Sequence, residues 1–230
     1  MDSGMNEFVF ITYSNHVFAE RMKQLLAKAD DLGIRSRGYT REWLEQTEFY
    51  QQQKHILDQP RGNGYWLWKP YIIYDAICQA NPGDIIFYLD CGDDYSPDIF
   101  DYVRTNIRSD QPGLLAGPGW PLKQFCKRDC FVYTDSDTPE YHNLHSCEAG
   151  MSFWNVSAVS KAALETLIEY SCNEIALTDV PNQSGLPDLP GFQIHQCDQS
   201  ILTIVAHKYN WPIDRNLLNY VAMNVWMPRE

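Results

Sequence analysis

Three carboxylates, Asp90, Asp93 and Asp94, stand together at the end of the apolar segment "GDIIFYLDCGDD". Carboxylates this close repel one another unless something positive sits among them. A divalent cation is the natural occupant. Mg2+ or Mn2+ takes hard oxygen ligands, uses one or two protein carboxylates and fills its octahedron with phosphate and water. An ion held in this way neutralises a diphosphate leaving group as a Lewis acid. Asp90 is expected to bind a ribose or the metal, and Asp93 the metal, with the coordinating carboxylate left open between them. The plain alternative is a solvated acidic turn in which Asp94 caps the next helix.

The elements that must position these groups follow from the pattern of the chain. "EFVFITYSN" reads as a first strand, "HVFAERMKQLLAKADDLG" as an amphipathic helix closed by Gly33, and "IRSRGYT" as a short second strand. "REWLEQTEFYQQQKHILD" is expected to be helical until Pro60. A Gly-flanked turn leads into a helix from Pro70 to about Ala80. "IIFYLD" is a strand whose continuous apolar character indicates burial on both faces. "SPDIFDYVRTNI" is a capped helix, "GLLAGPGW" a strand and turn, and "CFVYTD" and "GMSFWNVS" further strands. "KAALETLIEYSC" and "DQSILTIVAHKYN" are helices, and the Pro- and Gly-rich "TDVPNQSGLPDLPGF" is expected to be a mobile loop. This alternation predicts an α/β fold, with ligands outside the carboxyl ends of the strands. Asp90 and Asp93 fall there, as do Thr12, Tyr13 and Ser14 on the expected donor side.

The formal net charge of −12 argues against a nucleic-acid partner, which needs a basic face. Lys127 and Arg128 are candidates for local positive charge, against a solvated turn. Lys69 precedes Pro70, which presets a helix start. Its expected place at a positive helix N-terminus suits a phosphate or sugar hydroxyl, and the alternative is a snorkelling surface lysine. The many Trp and Tyr side chains combine a stacking face with a polar tip, although Tyr65, Trp66 and Trp68 read as sheet packing. No CxxC pair occurs among the seven cysteines, and Cys126-x3-Cys130 has no matching second pair. Reduced structural thiols are the expectation. "MDSGMNEFVFITYSN" is unlike a signal peptide, and no run approaches the ~20 apolar residues of a membrane span. A cytoplasmic location is therefore expected.

"GYWLWKP" followed by "GDIIFYLDCG", with "KRDCF", "EAGMSFW" and "DQSI" in that order, resembles a glycosyltransferase-like group from polysaccharide-building loci. The strand ending in an Asp-rich tip also resembles the DxD signature of GT-A glycosyltransferases, although Gly92 replaces its second acid. The resemblance covers about residues 62–209. It implies a GT-A-like single domain over 1–230, with a Rossmann-like mixed central sheet flanked by helices. The nucleotide-sugar half would be about 1–94 and the acceptor half about 95–230. The implied reaction moves a sugar from a nucleotide-sugar, UDP-linked by default, to a glycan hydroxyl, with Mn2+ or Mg2+ as cofactor. Lys69, Asp90, Cys91 and Gly92 would join Thr12, Tyr13 and Ser14 in binding the donor. Glu148, Ala149 and Gly150 of "CEAGMSFW" would line the acceptor cleft, where the small Ala-Gly pair lets substrate approach the backbone. Asp198 in "HQCDQS" would be the general base, against the plain role of helix N-cap. His195 would complete the metal sphere, against a structural histidine.

Two rival functions fit parts of the pattern. A sugar nucleotidyltransferase shares the metal logic but calls for a Gly-rich basic loop near the first strand, which the sequence lacks. A non-catalytic, aromatic-rich carbohydrate-binding module would bind sugar without metal and without affinity for nucleotides.

Overall fold

The computed structural model describes residues 7–225. In chain order it contains β1 (Phe8–Ser14), α1 (Ala19–Asp31), β2 (Arg35–Thr40), α2 (Arg41–Glu45), α3 (Glu48–Leu57), α4 (Gly62–Tyr65) and α5 (Trp68–Gln79). Next come β3 (Ile85–Leu89), β4 (Asp94–Tyr95), α6 (Ile99–Asn106), β5 (Gly113–Leu115), α7 (Leu122–Phe125), α8 (Arg128–Tyr133) and α9 (Pro139–His142). The chain ends through β6 (Met151–Asn155), α10 (Ala158–Ser171), α11 (Glu174–Leu177), α12 (Cys197–Lys208) and β7 (Val221–Ala222).

Five strands form a mixed sheet in the order β2-β1-β3-β6-β5. β1 is parallel to β2 and β3, whereas β6 runs antiparallel to both β3 and β5. The period-two side-chain alternation divides the apolar residues between two cores. Ile86 and Tyr88 of β3 join Ile11, Trp154 and the helical residues Ile72, Leu164 and Ile201 on one face. Ile85, Phe87 and Leu89 join Phe10, Phe153, Leu25 and Val103 on the other. Every residue of β3 and β6 is buried, which is why "IIFYL" shows no polar alternation. Each such side chain contributes roughly 1.5–3 kcal/mol by leaving water. The two expected halves share this one sheet, because β6 of the second half pairs with β3 of the first.

From β1 the chain goes to β2 on one side and later returns to β3 on the other. That reversal leaves a crevice at the carboxyl ends of β1 and β3. It is where the sequence places Ser14 and Asp90.

Two local expectations are corrected. The segment 41–58 is two helices, because Thr47 starts a new one by accepting from the Tyr50 N–H at 3.1 Å. "CFVYTD" is not a strand, since its core forms the helix α8, with Asp129, Cys130 and Phe131 all buried. Short apolar runs carry too little periodicity to separate the two states. Here the buried Asp129 carboxylate decides, by collecting the Gln183 N–H at 2.5 Å and the Ser184 N–H at 3.1 Å. The Pro- and Gly-rich segment after Thr178 has no regular element until α12. All seven cysteines are unpaired. Among the described residues, no helix is long and apolar enough to cross a membrane.

Candidate active site

Above the β1/β3 crevice lies a cavity of about 770 Å³, adjoined by a smaller one of about 200 Å³. Trp66, Asp90, Glu148, Gly150 and Gln199 line both. Asp90 leaves the end of β3, its N–H donating to the Gly150 carbonyl at 2.8 Å. The Tyr88 hydroxyl donates to Asp90 Oδ1. Asp93, 2% exposed, accepts the Asn224 N–H on Oδ1 at 2.7 Å, while its buried Oδ2 has no hydrogen-bond partner among the described residues. Glu148 Oε1 accepts the Gly150 N–H at 3.0 Å.

These three carboxylates meet at Gly150. A Cβ there would lie 3.2 Å from Asp90 Oδ2 and 3.3 Å from both Asp93 Oδ2 and Glu148 Oε1. Glycine leaves this space to the oxygens. Among the described residues, no three His, Cys, Asp or Glu side chains form a ready-made metal cage.

Burial, with Asp90 adding to it, pushes the Asp93 carboxyl up to about 6 against the pull of the Asn224 N–H. Burial also raises Glu148, opposed by the Gly150 N–H and Lys69. The cationic group that touches this cluster is Lys69, the second residue of α5 and 6% exposed. Its ammonium donates to Asp198 Oδ2 at 2.8 Å and to the Ala149 carbonyl at 3.1 Å, and lies 3.5 Å from Asp90 Oδ1. Burial opposes that charge, but Asp198 and Asp90 outweigh it and hold the lysine pKa above its ordinary value. Asp198 is not stabilised in proportion: burial raises its carboxyl despite Lys69, because it shares one ammonium with Asp90. Lys69 thus pairs with Asp198 and Asp90, and its charge also reaches Asp93 and Glu148.

Two plain alternatives from the sequence fail here. Lys69 does not snorkel on the surface, and Asp198 is not an N-cap. It is the second residue of α12, whose N-cap is Gln196.

A short left-handed turn forms the wall beside β1. Gly62, Asn63, Gly64, Tyr65 and Trp66 have consecutive φ values of 57°, 54°, 101°, 52° and 59°. Such a run costs L-residues roughly 1–2 kcal/mol each. Gly64 has no substitute, because a Cβ would lie 2.6 Å from the Leu57 Cα. The Trp68 indole donates to the Gly62 carbonyl at 3.1 Å, and the Arg61 guanidinium reaches Asp179 at 2.5 Å. Tyr65 and Trp68 pack in the core and Trp66 packs against it, as the sequence suggests, while Trp66 also lines both cavities and Trp68 the larger one. Asn63, also in the cleft, donates to the Tyr13 hydroxyl at 2.5 Å.

Of the residues named from sequence, Tyr13, Ser14, Asp90, Cys91, Gly92, Asp93, Glu148 and Gly150 line the larger cavity. Lys69, Ala149 and Asp198 line the smaller one. Thr12 does not reach either. It is fully buried and ties β1 to β3 by donating to the Leu89 carbonyl at 2.7 Å.

His195 is corrected as a metal ligand. It lies outside both cavities, its Nδ1 accepts the Lys127 N–H at 3.3 Å, and its Nε2 contacts the Ala176 carbonyl at 2.9 Å. Burial, then the charge of Lys127, drives its pKa down to about 3. Lys127 is buried against the Val180 carbonyl at 2.9 Å and Arg128 pairs with Asp137 at 2.7 Å, so neither serves the cleft nor forms a solvated turn. Trp120, Gln199 and Asn224 join the lining unannounced by the sequence. Of these, the Gln199 position beside Asp198 was the nearest to a signal.

No protein-family model and no curated protein matches the sequence. Among solved structures, the chain is similar to mouse xyloside xylosyltransferase 1 at 11% identity, covering 91% of this chain and 84% of that one, with a TM-score of 0.48. It is similar to a glycosyltransferase involved in glycosylation of the major capsid of PBCV-1 at 13% identity, covering 82% and 81%, with a TM-score of 0.45. It is also similar to the galactosyltransferase LgtC, solved in complex with donor and acceptor sugar analogs, at 12% identity over 87% and 70%, with a TM-score of 0.43. Such likenesses are too loose to transfer a role to any residue.

Proposed function

We propose that this chain is a metal-dependent glycosyltransferase that moves a sugar from a nucleotide-sugar, UDP-linked by default, to a glycan hydroxyl. The observation that carries this is the convergence of Asp90, Asp93 and Glu148 on Gly150, with one oxygen of Asp93 buried and unpartnered among the described residues. A buried acceptor without a donor costs free energy unless a ligand satisfies it. Hard carboxylate oxygens fit Mg2+ or Mn2+, which need only one or two of them and take the rest of their shell from phosphate and water. A cation bound there would neutralise the charge developing on the diphosphate leaving group.

Asp90 and Asp93 are the residues proposed to hold the ion. Tyr13, Ser14, Cys91 and Gly92 border the donor side of the cleft. In the proposed transfer, the bond from the anomeric carbon to the phosphate oxygen breaks and its electron pair leaves with the diphosphate. The acceptor oxygen bonds to that carbon, and its proton passes to the Asp198 carboxylate, whose raised pKa favours taking it up. Lys69, held protonated, fixes the orientation of Asp198.

A thermal-shift screen of nucleotide-sugars with Mn2+ tests the donor assignment. A ligand at 100 times its Kd adds ~2.7 kcal/mol, and EDTA should erase most of that gain. Absence of a shift with every nucleotide at millimolar concentration, or a shift indifferent to EDTA, rules the assignment out.

A further inference from the structure

We infer that Trp120 is the stacking platform of an acceptor subsite for a carbohydrate ring. This rests on the glycosyl-transfer reading of the cleft and adds a site to it. Among the described residues Trp120 is the largest exposed aromatic, 46% accessible, and it lines the same cavity as Asp90, Asp93 and Glu148.

It is also rigidly placed. The Ser146 N–H donates to the Trp120 carbonyl at 2.8 Å, the Glu148 N–H to the Ala116 carbonyl at 2.7 Å, and the Leu122 N–H to the Leu144 carbonyl at 2.8 Å. Pro121 and His145 form an antiparallel bridge. Residues 116–122 therefore pair with the segment that carries Glu148 and Gly150, which sets the Trp120 backbone in register with the carboxylates. Phe125 supports the ring at a centroid distance of 5.4 Å.

The sheet assigns the ligand class. The carboxyl ends of β1, β3 and β5 and the start of β6 share one edge, in the spatial order β1, β3, β6, β5. Tyr13 and Ser14 stand at the β1 end, the carboxylates at β3 and before β6, and Trp120 beyond β5. A nucleotide spread from β1 with its diphosphate at the carboxylates leaves Trp120 on the far side of the reacting carbon. That is the acceptor side. A flat, half-exposed indole packed against a second ring suits the apolar face of a pyranoside.

The experiment uses the full chain with Trp120→Ala and Trp120→Phe. Saturation-transfer NMR with methyl β-D-glucoside, galactoside, xyloside and N-acetylglucosaminide reads binding without turnover. Transfer to the p-nitrophenyl β-D-glycosides of the same sugars, set against hydrolysis of the nucleotide-sugar by water, reads the acceptor role. The wild-type chain should show saturation transfer to at least one glycoside. Trp120→Ala should abolish it, raise the acceptor KM about tenfold or more and move the partition from transfer toward hydrolysis, and Trp120→Phe should restore most of both. Binding of no glycoside by the wild type overturns the inference, as does an acceptor KM within twofold of wild type in Trp120→Ala. Transfer and hydrolysis falling in the same proportion would overturn it too, by placing Trp120 on the donor. Glycoside binding that depends on Trp120 in a protein that turns over no nucleotide-sugar would retain the subsite and reject the proposed reaction.

Discussion

Asp93 and Asp94 are adjacent in sequence, yet they occupy opposite electrostatic environments. Asp94 in β4 meets the Lys28 ammonium at 2.6 Å and the Arg21 guanidinium at 3.2 Å, and accepts the Tyr95 N–H at 2.8 Å. Burial opposes its charge, but these donors outweigh it and hold its pKa below the ordinary carboxylate range. Asp93 is more buried, its carboxylate has no ion pair among the described residues although Arg21 donates to its backbone carbonyl at 2.8 Å, and it shares its space with Asp90 and Glu148. One acid is balanced by the fold and pins α1 to β4. The other is left short of positive charge, and an imbalance of this kind in a cleft marks a site for a cation.

The largest expected effect comes from removing the Lys69 ammonium, which pairs with Asp198 and Asp90. Lys69→Met should destabilise the apo protein by ~3–5 kcal/mol, the usual cost of stripping one partner from a buried pair. Denaturant titration measures it. Adding Asp198→Asn to Lys69→Met should recover part of the loss, and the contrast fails if the single variant is as stable as wild type. Asp198→Asn alone should also destabilise, since it removes the closest carboxylate from a buried lysine.

A second expectation concerns pH. Asp93 is raised to about 6 from 3.8, so the folded state binds its proton more tightly than the unfolded state does. Its stabilising contribution is fully present below pH ~4 and is lost as pH rises through ~6, a change on the order of 3 kcal/mol. Metal-free wild type should therefore lose this contribution between pH ~4 and ~6.5. Asp93→Asn should flatten that slope, and an unchanged slope would place the raised group elsewhere.

Gly150→Ala comes next. Its backbone is not in the left-handed region, so any effect comes from the methyl group entering the space between three carboxylate oxygens. Mn2+-dependent nucleotide affinity should fall about tenfold, or ~1.4 kcal/mol, by calorimetry. Unchanged affinity would mean that the ion sits elsewhere. The smallest effect is expected on the balanced side. Asp94→Asn should cost under ~1 kcal/mol, as half-exposed ion pairs do, and leave Mn2+-dependent nucleotide binding as in wild type. A loss of that binding would erase the distinction between the two neighbours.

Much of this was legible in the chain because it is a matter of local pattern. The unbroken run of β3 announces burial on both faces. The amphipathic α1 and Gly33 fix a helix and its end, Gly33 taking φ 69°. A strand end followed by three acids locates the crevice once the strand is known. Where local signals are weak the chain misleads. "CFVYTD" has the aromatic and β-branched character of a strand, but α8 is chosen by the buried bonding of Asp129 to a loop some fifty residues away.

The sequence by itself therefore determined an α/β alternation, the strand that ends in acids, and the residue types able to hold a hard cation. Only the tertiary structure decided which acid is balanced and which is not, because charge balance depends on distances between segments far apart in the chain. Arg21 and Lys28 come from α1 to Asp94, whereas Lys69 reaches Asp198 across 129 positions. The same long-range packing took His195 out of the site, by satisfying both its ring nitrogens, and brought Trp120 to the rim through a backbone ladder whose pairing no local pattern encodes.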